Sequence, residues 1–117
     1  MEFTITLPWP PSLNKLWRIG RGKIYCSKEG VSFKEYVRFL CRAKKAPRFA
    51  ETDRLKLGLW LYPPNKRVLD IDNRAKIVLD SLQDAGVIPN DSQIDKIWIE
   101  RKEIFKGGQA IVKIVSL

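Results

Sequence analysis

Four stretches of this chain alternate apolar and polar residues over strand length: "EFTITL" from position 2, "RLKLGLWLY" from 54, "IDKIWIERKEIF" from 94 and "GGQAIVKIVSL" from 107. A period of two sends successive side chains to opposite faces of a sheet, so each stretch builds a half-buried strand. Strands of this kind need a cover for their apolar face, and two segments of helical period can supply it. Val31, Tyr36, Val37, Phe39, Leu40 and Ala43 recur at near-helical spacing. They predict a helix over about 28 to 45, capped by Ser27, with Lys34, Arg38, Arg42 and Lys45 on its other face. Ala75, Val78, Leu79 and Leu82 fall at i, i+3, i+4 and i+7 with Gly86 as a stop, predicting a helix over about 72 to 85.

Pro8, Pro10 and Pro11 end the first strand, and residues 8 to 23 read as a long, basic, tryptophan-bearing loop before a short strand at Ile24 to Cys26. Lys106-Gly107-Gly108 between the last two alternating runs reads as a hairpin turn. The expected fold is α+β: a single domain over 1–117, with a small mixed β-sheet, two main helices and a C-terminal β-hairpin. Area scaling gives roughly 6,600 Å² folded against about 20,000 Å² unfolded, enough burial to fold without a metal or disulfide staple.

Histidine is absent, which removes every imidazole-based scheme, including Ser-His-Asp and Cys-His nucleophiles and mixed Cys-His zinc sites. Cys26 and Cys41 read as small buried hydrophobes. Met1 opens straight into the first strand with no secretory leader before the cysteines, so a reduced, cytoplasmic protein is expected. The apolar runs fall far short of the roughly 20 residues that span a bilayer, so no membrane association is expected.

Charge is divided along the chain. Residues 1–50 hold eleven Lys or Arg against three Glu, whereas residues 51–117 hold eleven basic and ten acidic residues. Six of the seven Asp fall between 70 and 95. A basic body around one acidic window suits a polyanion binder that also holds a cation. The plainer alternative is a set of carboxylates on an exposed helix face.

Asp70 and Asp72 project to one side of an extended "LDIDN" and can hold a hard divalent cation, since Mg²⁺ takes one or two carboxylates plus waters and phosphate oxygens. Lys76 follows Asp72 by four residues, where it can stabilise charge developing on a phosphate, and Asp80 lies a turn further. The same residues also fit a structural role, with Asp70 as a cap, Asp72 in the first turn, and Lys76 in a solvated ladder. Asp91 stands in the turn after "GVIPN". A 12-residue helix is about 18 Å long, and the seven steps from Asp84 span at most about 25 Å. Asp91 therefore returns to Asp70 and Asp72 only if residues 85–91 run back nearly extended; otherwise it serves a neighbouring subunit.

"LPWPPSLNKLW" at 7–17, together with Arg67, Asp70, Asp72, Asn73, Lys76, Asp80, Leu82, Gly86 and Asp91, resembles the RusA-type Holliday junction resolvases over essentially the whole chain. The resemblance implies a homodimeric endonuclease, dependent on Mg²⁺ with Mn²⁺ as a substitute, that resolves four-way junction DNA in recombination and repair. It implies Asp70, Asp72 and Asp91 as metal-binding catalytic carboxylates and Lys76 as the catalytic lysine. The family usually carries two adjacent acids in the turn; here they are Asn90-Asp91, leaving one anionic ligand.

With no imidazole to activate water, a metal ion that lowers the pKa of its bound water is the expected source of the nucleophile, giving 5′-phosphate and 3′-hydroxyl ends. Lys15, Arg18, Arg21 and Lys23 in the basic loop, Asn14 beside them, Arg67 and the basic helix are the candidates for contacting DNA. Trp9 and Trp17 serve either as packing anchors or as stacking groups, and Trp60 and Trp98 read as core or interface. The rival readings are a DNA-binding module without catalysis and a metal-dependent hydrolase acting on nucleotides, flaps or ends.

Overall fold

The computed structural model describes residues 1–12, 17–20 and 23–117, with 17–20 and 23–26 placed as backbone alone. The alternating runs become β1 (Glu2–Pro8), β4 (Leu55–Tyr62), β5 (Ile94–Arg101) and β6 (Gln109–Ser116), and the helical segments become α1 (Lys28–Ala43) and α2 (Ala75–Asp84). One four-stranded sheet carries the fold, in the order β1-β6-β4-β5. β6 runs antiparallel to both β1 and β4, while β4 and β5 are parallel, so the sheet is mixed and the domain is α+β as expected.

The C-terminal hairpin is corrected. β5 and β6 are consecutive in sequence, yet β4 lies between them. The connection from 102 to 108 crosses the end of β4 instead of folding back on β5. Its backbone is bonded there, with Lys102 N–H donating to Leu61 O at 2.8 Å and Phe105 N–H to Pro63 O at 2.9 Å. Gly107 and Gly108, with φ of 85° and 75°, make the reversal as the glycine pair predicted, but what it delivers is a strand beside β4 and β1. A second correction concerns the basic loop. Trp17–Gly20 forms β2 and pairs antiparallel with β3 (Lys23–Cys26), so the stretch holds a two-stranded sheet.

Alternation fixes which face is covered. Leu55, Leu57, Leu59 and Leu61 of β4 are all fully buried, with Ala110, Val112 and Ile114 of β6 and Ile5 and Leu7 of β1 beside them. Phe33, Val37 and Cys41 of α1 and Ile77, Val78 and Leu82 of α2 close over that face. Burial of an aliphatic side chain contributes about 1.5–3 kcal/mol, so this layer is the main source of stability. The α1 stripe differs from expectation. Gly30, Phe33, Val37 and Cys41 are its buried positions, whereas Val31, Tyr36 and Phe39 are exposed.

The helix ends follow their chemistry. Ser27 caps α1 by accepting from Gly30 N–H at 3.1 Å. α2 closes in a Schellman motif, with Gly86 at φ 81° donating to Gln83 O and Val87 donating to Leu82 O. That turn sends residues 87–90 back along α2 toward β5. Among the described residues no helix is long and apolar enough to cross a membrane.

Candidate functional site

The acidic window occupies the crossover from β4 to β5. "LDIDNR" lies between the proline-rich exit from β4 and the body of α2, and it forms a single 3₁₀ turn, Ile71–Arg74, before α2 begins. Asp70 stands at the cap position of this turn with extended backbone (φ −87°, ψ 123°), but its side chain makes no capping hydrogen bond. Both Asp70 and Asp72 are exposed, and among the described residues neither carboxylate has an ion-pair or side-chain hydrogen-bond partner. In a chain of net charge +9 that is an unusual condition for two neighbouring acids. The capping role weighed for Asp70 is therefore not performed.

Lys76, in the first turn of α2, reaches Asp80 at 2.9 Å and Asp91 at 3.9 Å. The hydrogen bond to Asp80, opposed by partial burial and aided by the charges of Asp80 and Asp91, holds the Lys76 amine above the ordinary lysine range. It is thus a fixed ammonium at neutral pH, suited to stabilising negative charge and unsuited to taking a proton. Asp91 opens a 3₁₀ turn, Asp91–Gln93, whose capping box is supplied by Asn90 and Gln93: Asn90 Oδ1 accepts from Ser92 N–H, and Gln93 Oε1 accepts from Asn90 N–H. Asn90 therefore has a structural task that a carboxylate at this position could share. The Gln93 amide is anchored in turn on the carbonyls of Ala50 and Asp53, at 2.7 and 3.0 Å.

The run from 85 to 91 thus brings Asp91 back as far as Lys76. It does not complete a three-carboxylate cluster, because no three Asp, Glu, Cys or His side chains gather as a ready metal site among the described residues. The donor chemistry of Asp70 and Asp72 nevertheless fits a hard cation: two exposed carboxylates with no ion-pair partner among the described residues.

Arg74 is the residue that sequence reasoning missed. Its guanidinium lies over the Trp9 ring at 4.6 Å, and Nη1 donates to the Pro10 carbonyl. Burial lowers its pKa, and its Nε has no partner among the described residues. Through Arg74 the proline-bearing block and the Asp-rich turn, about 60 residues apart in sequence, become one surface. Ser12 and Arg74 line both a cavity of about 230 Å³ that includes Asp70 and Asn73 and a larger one of about 560 Å³ that includes Trp9, Phe33 and Tyr36. The available signal was an arginine placed between the acidic pair and an apolar stripe.

Among the DNA-contact candidates, Arg67 is exposed on the loop leading to Asp70, with its N–H donating to Asn65 Oδ1. Asn14, Lys15 and Arg21 lie outside the described residues, and Arg18 and Lys23 are placed only as backbone positions of β2 and β3. In α1, Arg38 is committed to Asp84 of α2 at 2.6 Å, while Arg42 remains exposed. Trp9 packs as an anchor, and Trp17 has backbone placement alone. Trp98 is 56% exposed and does not belong to the core. Cys41 is buried, which pushes its thiol pKa up and fits a small apolar filler; the Cys26 side chain lies outside the described set.

A family model described as Endodeoxyribonuclease RusA matches residues 8–115. The chain is 35% identical over 116 residues to the crossover junction endodeoxyribonuclease rusA of Enterobacteria phage HK97, covering 99% of this chain and 96% of that one. It is 31% identical over 116 residues to the crossover junction endodeoxyribonuclease RusA of Escherichia coli strain K12, covering 98% and 95% respectively. The protein of the same name from Enterobacteria phage 82 is 29% identical over 115 residues. With the matched region spanning both the proline-bearing block and the acidic crossover, this chain belongs to the RusA endodeoxyribonuclease family.

Proposed function

We propose that this chain is a divalent-metal-dependent endonuclease that resolves four-way DNA junctions, with its chemistry at the β4–β5 crossover. The observation that carries the reading is the pair Asp70 and Asp72, without a side-chain partner among the described residues of a strongly basic chain, one turn from a lysine held as an ammonium. Capping and salt bridging account for Asp80 and leave this pair unexplained. Asp70 and Asp72 would hold Mg²⁺ or Mn²⁺, with Asp91 as the third carboxylate, contributed by the same chain or by a second copy. The ion would supply Lewis-acid polarisation of the scissile phosphate and an activated water, a task for which this histidine-free chain has no imidazole.

The chain's own residues do the rest. Lys76 would offer positive charge to the oxygen on which charge builds as the phosphodiester bond breaks, leaving 5′-phosphate and 3′-hydroxyl ends. Asp80 keeps its ammonium aimed. Arg74 would keep the proline-bearing block against the acidic turn, so that strand placement and bond cleavage are set by one rigid surface. Arg67, with the basic residues of 14–23, would hold phosphates. One acidic crossover per chain and two cuts per junction make a two-fold homodimer the economical assembly.

The test is cutting of a synthetic four-way junction, a matched duplex and a single strand at equal concentration, with Mg²⁺, with Mn²⁺ and with chelator. Paired symmetric nicks in the junction, present with either ion and absent with chelator, are expected. Cutting that survives chelation, or that is as fast on duplex as on the junction, would refute the reading.

A further inference from the structure

The helices cover one face of the sheet and leave the other open. By register, β1, β6, β4 and β5 place Thr4, Lys113, Gly58 and Trp98 in one row across that face. A second row holds Thr6, Ile111, Trp60 and Glu100. Trp60 lies flat on the sheet because Gly58 has no side chain: a Cβ there would fall 2.5 Å from Trp60 Cη2. Trp98 stands next to it, 56% exposed, with Nε1 donating to Glu100 at 3.2 Å. The Glu100 carboxylate is held in turn by Lys102 at 3.1 Å. Between the two indoles runs a groove of about 470 Å³, bordered by Lys56 and Lys113, within the size range of small-ligand sites.

An exposed indole beside a half-buried one on an open sheet face has two common partners, another protein or unpaired bases. The border decides between them. Protein interface cores are depleted in Lys and Glu, whereas four lysines (Lys56, Lys96, Lys102 and Lys113) lie on or beside this face. Its two glutamates are both answered: Glu100 by Lys102, and Glu2 by Lys113 at 3.8 Å. The excess positive charge of Lys56 and Lys96 fits a polyanion.

Position agrees with charge. Arg101, three residues beyond Trp98 on β5, donates to Leu69 O at 2.6 Å, immediately before Asp70. The strand path from Trp98 to Arg101 is about 10 Å along β5, the edge strand of the sheet, so one DNA strand rounding that edge can reach both. We propose that this groove is a stacking platform for unpaired bases of a DNA strand that continues past Arg101 to the carboxylates, with Trp98 as the principal ring and Trp60 as its floor. Its substrate rests on the nuclease reading above; the platform itself is a separate site.

The experiment measures binding without divalent cation, so that it does not depend on cutting. Fluorescence anisotropy of a 5′-labelled oligothymidylate dodecamer and of a duplex of equal length is titrated with wild-type chain, Trp98→Ala and Trp98→Phe. Stacking losses on alanine substitution convert to at least a fivefold weaker Kd for the single strand. Duplex affinity is expected to change by less than about twofold, because phosphate contacts dominate it, and Trp98→Phe should recover most of the loss. Equal weakening on both DNAs, or no change on the single strand, overturns the platform. So does sedimentation in which Trp98→Ala turns a dimer into a monomer, which would give the face to a second copy. A chain that cuts no junction yet shows the expected pattern loses the nuclease reading and keeps the platform, and a cutting chain indifferent to Trp98 does the reverse.

Discussion

Lys76→Met separates chemistry from stability. The side chain is half exposed, so its 2.9 Å contact with Asp80 is a solvated i,i+4 pair, and such pairs contribute about 0.3–0.5 kcal/mol. Unfolding entropy of about 2.1 cal/mol/K per residue gives about 0.25 kcal/mol per degree for 117 residues. The melting temperature should therefore fall by only about 1–2 °C. The raised pKa fixes the sign with pH. The pair's contribution is fully present below the unfolded lysine pKa and is lost as pH rises through the higher folded value, so the comparison at neutral pH is clean. Removing one preorganised group that stabilises developing charge slows a reaction by about 10²–10³. Single-turnover junction cutting should drop by that factor, with Lys76→Arg retaining part of the rate. A Met variant that cuts within threefold of wild type would refute the assignment. So would one whose loss of rate tracks a fall of 8 °C or more, since Lys76 would then be structural.

Arg74→Met removes the stack on Trp9 and the bond to the Pro10 carbonyl; at about 1–3 kcal/mol net, thermal melting should fall by about 4–12 °C. Gly86→Ala forces a side chain into φ 81° at the α2 terminus, and a loss of about 1–2 kcal/mol is expected in urea unfolding. The Arg54 guanidinium, bonded to Asp95 at 3.0 and 3.1 Å, holds that carboxyl below the usual aspartate range. NMR titration should place its midpoint below that of an unpaired aspartate and return it upward in Arg54→Ala; the pair's stabilisation is present above the unfolded value and disappears as pH falls through the folded one.

Much of the fold was legible because alternation and helical period are local. β1, β4, β5 and β6 fall where period two placed them, and α2 stops at Asp84, just short of Gly86, whose left-handed turn closes the Schellman motif. Pairing partners are not local. Gly107-Gly108 announces a reversal, but whether the returning strand meets β5 or β4 depends on backbone bonds from Lys102 and Phe105 to the end of β4, which no neighbouring residue encodes. In α1 the exposed Val31, Tyr36 and Phe39 imitated a core stripe that belongs to Phe33, Val37 and Cys41. For the site, spacing along one helix revealed Lys76 with Asp80, and chain length bounded the return of Asp91. Arg74 escaped because its partners, Trp9 and Pro10, lie in the N-terminal block.

The central claim is that the unpartnered carboxylates at the head of the crossover do chemistry and not folding. Asp70→Asn tests it most directly, with junction affinity and junction cutting measured on the same preparation. The side chain makes no capping bond to lose, and removing a negative charge does not weaken a phosphate-binding surface. Binding should match or exceed wild type while cutting falls below detection with both Mg²⁺ and Mn²⁺; sustained cutting by the variant would contradict the account.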